Sequence, residues 1–253
     1  MSNPTMQQLI EKTRAHVETY MTTYDPSHDY SHLLRVRQTA LDIEADQRIK
    51  FPELNIDSTV VILSALLHDV GDRKYVKGHE HAATLVRDTL LGLGAPFDLA
   101  NKVQLICTNV SWSSEVKSGE SKKAVAALCT EIPELAIVQD ADRLDSIGAT
   151  GIARVFAFSA AKCHERGLST RHFHEKLLIL VDRMKTPLGK NLAKEQTERL
   201  RVFIDWWRIE TDNVEGLADE MARQEKAEEE KWKALEEEEK KALGEEKRKG
   251  TNP

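Results

Sequence analysis

Cysteine is scarce in this chain of 253 residues: Cys107, Cys129 and Cys163 are the full set, an odd number with no Cys-x-x-Cys pair. A disulfide scaffold and a zinc–thiolate site are thereby excluded, and a reducing compartment is expected. No apolar run approaches the roughly 20 residues that a membrane span needs, and the polar start Met1–Gln8 does not read as a signal peptide. The expectation is a soluble, cytoplasmic protein, with entry to the nucleus left open. Nor is there a surplus of positive charge, since 36 basic residues face 42 acidic ones. Residues 214–253 alone hold 13 of those acids and 9 of the bases, which leaves the rest of the chain nearly neutral. A chain without a basic stripe is not expected to bind nucleic acid specifically. Alternating strand patterns and repeats of 20–50 residues are also missing.

What is present is helical periodicity. Apolar residues fall at three- and four-residue steps over 5–24 and again over 31–48. The segment 59–68 is the most apolar of the chain, and Asn55-Ile56-Asp57-Ser58 precedes it as a cap. It reads as a buried central helix, with a buried strand as the weaker alternative. Further helices are predicted over 80–93, 95–108 and 122–131, as a long pair over 135–166, and over 172–185. Thr186-Pro187-Leu188-Gly189 reads as a break, followed by a last helix over 191–209. Trp206, Trp207, Phe156 and Phe158 are read as core rather than as a base-stacking surface. The chain therefore divides into an all-α body, residues 1–212, and a Glu/Lys-rich tail, 213–253, expected to be a solvated helix or disordered. A partner contact through that tail and a homodimer both remain open.

Chemistry concentrates in three places. His68-Asp69 closes the most hydrophobic helix, where burying a charged pair is costly unless something compensates it. Upstream stands His28-Asp29-Tyr30-Ser31-His32, and downstream Asp140-Ala141-Asp142-Arg143-Leu144-Asp145. An imidazole, a His-Asp pair and a further carboxylate supply two nitrogen and two oxygen donors, a set suited to a divalent transition metal. Asp140 and Asp142 would point about 200° apart on one helix, so only one should ligate unless a helix starts between them. Asp145 shares a face with Asp142 and is placed to orient a histidine or a water behind the ligands. His28 is a candidate for the same supporting role, or else simply part of a capped helix start. Of Arg35 and Arg143, one is expected to pair with a buried carboxylate and the other to touch phosphate. His79 and His81, two residues apart, do not suit a second metal.

The order His32, His68-Asp69, Asp142 resembles the HD-domain superfamily of metal-dependent phosphohydrolases. The resemblance extends over Ala65-Leu66-Leu67-His68-Asp69-Val70-Gly71-Asp72, Val138-Gln139-Asp140-Ala141-Asp142-Arg143-Leu144-Asp145, Gly151-Ile152-Ala153-Arg154 and Arg171-His172-Phe173-His174-Glu175-Lys176. These segments are similar to a small bacterial and fungal subgroup that includes manganese-dependent pyrophosphohydrolases of deoxynucleoside triphosphates. The resemblance implies a compact helical bundle with His32, His68, Asp69 and Asp142 as metal ligands, Asp142 being favoured by its Ala-Asp-Arg-Leu setting. It implies Mn²⁺ foremost, with Fe²⁺, Co²⁺, Zn²⁺ or Mg²⁺ as alternatives, and Asp69 and Asp72 as the catalytic carboxylates. Arg35, Lys74 and Arg143 would bind the substrate, a small phosphorylated molecule and foremost a nucleotide. At Thr108-Asn109-Val110-Ser111 relatives often carry a histidine; the asparagine here suggests a pocket-lining group instead. The alternative is a non-catalytic module that keeps the metal cage but senses a ligand or binds a partner.

Overall fold

A computed structural model describes residues 4–71, 83–112, 118–162 and 170–211, together with Glu115, Val214, Arg223 and Lys226. Its described residues form ten α-helices and two 3-10 turns and no strand. Helix α1 (Met6–Tyr20) opens with a capping box, in which Thr5 Oγ1 accepts from Gln8 N and Gln8 Oε1 accepts from Thr5 N. Helix α2 (Tyr30–Lys50) is capped by Asp29, and α3 (Ser58–Leu67) by Asp57, whose carboxylate accepts from Thr59 N and Val60 N. The apolar segment is thus a helix, and it is central: Val60, Val61, Leu63, Leu66 and Leu67 are all buried.

Helices α4 (Leu85–Gly92), α5 (Phe97–Val110) and α6 (Gly119–Glu131) lead to α7 (Pro133–Asp145), most of which is buried. Proline at the first position of α7 suits a helix start, where its missing N–H is no loss. Helices α2, α3 and α7 pack on one another and make the frame of the core, with α1, α5 and the later helices around it. Asp57 N and Lys102 Nζ both donate to the buried Glu134 carboxylate, at 2.9 and 2.8 Å, tying α3, α5 and α7 together at one end.

The predicted long pair over 135–166 divides at Gly148, whose φ of +71° allows a tight corner between α7 and α8 (Gly148–Lys162). Two helix boundaries read from the sequence need correction. Residues 172–185 are not one helix but the short α9 (Arg171–Glu175) followed by a 3-10 turn, Leu177–Arg183. Pro187 does not break a helix; it opens α10 (Pro187–Thr211), again because the first turn tolerates proline. Phe156, Phe173, Phe203 and Trp207 pack ring to ring, whereas Trp206, read as core, is 62% exposed on the outer face of α10. Among the described residues no helix is long and apolar enough to cross a membrane. Apart from Val214, Arg223 and Lys226, the tail lies outside the described residues.

Candidate metal centre

Three helix ends meet at one point. His32 lies in the first turn of α2, with its backbone N–H bonded to the Asp29 cap at 2.9 Å. His68 caps the C-terminus of α3 and Asp69 lies in the turn beyond it, just before Gly71 at φ +81°. At the end of α3, His68 and Asp69 both reach the same spot. Asp142 comes from the last turn of α7. The two imidazole Nε2 atoms are 3.2 Å apart, and Asp142 Oδ1 is 3.6 Å from each. Asp69 closes the group, with Oδ2 at 3.4 Å from His32 Nε2 and Oδ1 at 3.5 Å from His68 Nε2. One ligand atom from each of His32, His68 and Asp142 lies within 4.8 Å of the others.

The outer nitrogens of both rings are already committed. His68 Nδ1 donates to the Ala65 carbonyl at 2.9 Å, and His32 Nδ1 to Asp145 Oδ2 at 2.7 Å. A carbonyl and an ionised carboxylate only accept, so in each ring Nδ1 carries the proton and Nε2 turns inward. Two inward nitrogens and two carboxylates call for positive charge between them. Burial pulls the His68 imidazole toward neutrality, but Asp69 and Asp142 outweigh it and push its pKa up to about 9. In the same way, burial opposes charge on Asp69 and Asp142, yet the imidazoles hold both carboxyls well below the usual carboxylate range. Among the described residues, Asp69 Oδ2 is buried without a hydrogen-bond partner. An orphaned carboxylate oxygen beside two converging nitrogens fits a divalent cation, and the N₂O₂ donor set suits a transition metal.

No family model matches the chain. The uncharacterized Bacillus subtilis protein YpgQ is 32% identical over 198 residues, which cover 77% of this chain and 89% of YpgQ. The crystal structure of YpgQ in complex with ADP is similar at a TM-score of 0.63 and 28% identity, covering 84% of this chain and 98% of that one. An HD-superfamily hydrolase from Bacillus thuringiensis, also solved by crystallography, matches at a TM-score of 0.59 and 28% identity, over 83% of this chain and all (100%) of that one. The chain belongs to the HD superfamily and is a relative of YpgQ.

In this HD chain the remaining candidates separate clearly. Asp145 lies behind His32, where burial is offset by the His32 and Arg35 hydrogen bonds and its carboxyl is held below its ordinary range. Arg35 grips Asp145 with Nε at 2.7 Å and Nη2 at 2.9 Å. Arg143 is buried and bonds Glu115 Oε2 at 2.6 Å and the Arg183 carbonyl at 3.0 Å. The sequence reading divided these two arginines between structure and phosphate; both are in fact paired with buried carboxylates. Asp140 is turned away from the imidazoles, and α7 runs through it without a start at Ala141. Its carboxylate accepts from Lys185 N, from Thr186 N at 2.7 Å and from Thr186 Oγ1 at 2.7 Å. His28 sits beside the site, its ring edge-on to that of His32 at 6.1 Å. Asn109 donates from Nδ2 to the Leu105 carbonyl on its own helix. Asp72, Lys74, His79 and His81 lie outside the described residues. Sequence reasoning passed over Glu115, Lys185 and the side chain of Arg154, which reaches Asp145 Oδ2 at 3.0 Å. None carries a spacing signal, because their partners are far away in sequence or on another helix.

Proposed function

We propose that this protein is a metal-dependent phosphohydrolase of a small phosphorylated substrate, foremost a nucleotide. The observation that carries the reading is the convergence of two Nε2 atoms and two carboxylates on one point, with a buried Asp69 oxygen left unsatisfied. The ADP held by the related YpgQ structure supports a nucleotide-like ligand for this chain. His32, His68, Asp69 and Asp142 would hold the cation, with Mn²⁺ foremost among Fe²⁺, Co²⁺, Zn²⁺ and Mg²⁺. A divalent cation in such a site supplies Lewis acidity and a water acidic enough to attack phosphorus near neutral pH. Asp145 fixes the His32 ring from behind. Asp72, four residues beyond His68, is assigned the role of general base, and Lys74 contacts phosphate charge. Arg35 and Arg143, the other two candidate substrate cations, are engaged by Asp145 and Glu115. Within this reading the finer activity is release of pyrophosphate from a nucleoside triphosphate or of phosphate from a nucleotide, in the cytoplasm, by residues 1–212.

The test is a screen of metal-reconstituted protein against nucleoside mono-, di- and triphosphates, with phosphate and pyrophosphate measured separately. Metal-dependent release of either product supports the hydrolase. Pyrophosphate from the triphosphates supports the pyrophosphohydrolase, and phosphate from a nucleotide supports the phosphatase. Stoichiometric metal with no turnover on any of them overturns the enzyme in favour of a ligand-sensing module.

A further inference from the structure

The strap that holds His32 is built from two guanidinium groups where charge balance needs one. Arg35 alone occupies both oxygens of Asp145, Nε on Oδ1 and Nη2 on Oδ2. Arg154 adds a second positive charge, with Nη1 3.0 Å from Oδ2, the same oxygen that accepts the His32 Nδ1 proton. Its Nε donates to the Ser27 carbonyl at 2.7 Å. Ser27 lies in the loop whose Asp29 caps α2 and accepts from His32 N at 2.9 Å. One side chain therefore touches both lines of support for His32: the loop that places its backbone and the carboxylate that aims its ring.

The fold makes this reach feasible at a corner. Arg154 follows Asp145 by nine residues, yet it lies back over it because the chain turns sharply at Gly148, φ +71°. Gly151 keeps the corner tight, since a Cβ there would run into the Ser146 carbonyl. Arg154 is on α8, an element that supplies none of the four candidate ligands.

We infer that Arg154 is a positioning residue for the metal ligand His32, acting through Asp145 and the Ser27 carbonyl. The inference rests on the proposed metal reading. It assigns α8 a part in metal affinity, and it predicts that the loop at 25–29 and the His32 ring loosen together when the guanidinium is removed.

The test compares full-length wild type, Arg154→Met and Arg154→Lys, with Arg201→Met on the outer face of α10 as control. Mn²⁺ affinity is titrated, and metal-free histidine ¹⁵N spectra are recorded, with the His32 ring assigned by its loss in His32→Gln. Arg154→Met should weaken Mn²⁺ binding about 10–100-fold, the range seen when a group that orients a metal ligand is changed. Its His32 signals should move from a single Nδ1-protonated form toward an averaged one. Arg154→Lys, which keeps one donor and the charge, should fall between, and the control should match wild type. If Arg154→Met unfolds, Arg154→Lys carries the comparison alone. Wild-type affinity together with an unchanged His32 signature in a folded Arg154 variant overturns the assignment, whatever its unfolding temperature. Should wild type itself bind none of Mn²⁺, Fe²⁺, Co²⁺, Zn²⁺ and Mg²⁺, the metal reading has failed, and the His32 spectra alone decide on Arg154.

Discussion

Helix α7 presents two faces, each with buried charge, and they do opposite things. On one, among the described residues, Asp142 meets only imidazole nitrogens and lies near Asp69, whose Oδ2 has no donor. On the other, Asp140 is supplied with donors from Lys185 and Thr186, and Arg143 and Lys185 share Glu115 Oε2 at 2.6 and 3.1 Å. A buried carboxylate with its acceptors filled is structure; one left short of donors next to converging imidazole nitrogens is a place for a cation. The two aspartates differ in acidity accordingly. Burial dominates at Asp140 and raises its pKa, while the imidazoles overcome burial at Asp142 and lower it.

Exchanging one aspartate at a time should break this contrast most sharply. Asp142→Asn is expected to cost at least about 1,000-fold in Mn²⁺ affinity, beyond the 10–100-fold typical of residues that only orient ligands, whereas Asp140→Asn should keep wild-type affinity. Isothermal titration on both variants checks this, and equal losses would mean that the two faces are not distinct. Stability should show the reverse ranking. Asp140→Ala strands the Lys185 and Thr186 donors and is expected to cost about 3 kcal/mol of unfolding free energy, measured by urea denaturation without metal, with Asp142→Ala costing less.

A smaller effect is expected at Arg143. Replacing it with methionine leaves Glu115 with Lys185 alone, for a loss of about 1–2 kcal/mol, yet turnover per bound metal should match wild type. A collapse of kcat at full metal occupancy would restore a role for Arg143 at the substrate. The smallest effect is one of pH. Burial opposes charge on Glu115, but Arg143 and Lys185 prevail and hold its pKa below the usual 4.5. A lowered carboxyl pKa stabilises the fold above the unfolded value and loses that contribution as pH falls through the folded one. The stability gap between wild type and Glu115→Gln should therefore be full above about pH 4.5 and close in stronger acid, as followed by thermal melts.

Much of this was legible before the structure. The all-α body, the Asp57 cap and the central position of 59–68 follow from periodicity and cap chemistry, which are local signals. The convergence of His32, His68 and Asp142 was indicated by residue type and by family order, and the 200° separation of Asp140 from Asp142 is helix geometry. What could not be read is which buried cation meets which buried anion. Arg35 and Arg143 look alike in sequence, and the carboxylates that engage them stand 110 and 28 positions away. Pro187 misled because proline marks a helix start as readily as an end, and Trp206 because it points about 100° away from Trp207, which alone of the two joins the aromatic cluster.

The start of α10 gives Asp140 an uncommon counter-ion. Its donors are two backbone amides and a hydroxyl at the head of a 25-residue helix, and Thr186 Oγ1 in turn accepts from Gly189 N. Aligned peptide dipoles place about half a positive charge at such a helix end. The buried anion is thus balanced in part by a piece of backbone, which has no side chain to titrate and is poorly screened at this depth. Added salt should weaken exposed pairs such as Arg201–Glu198 on the same helix and leave its junction with Asp140 intact.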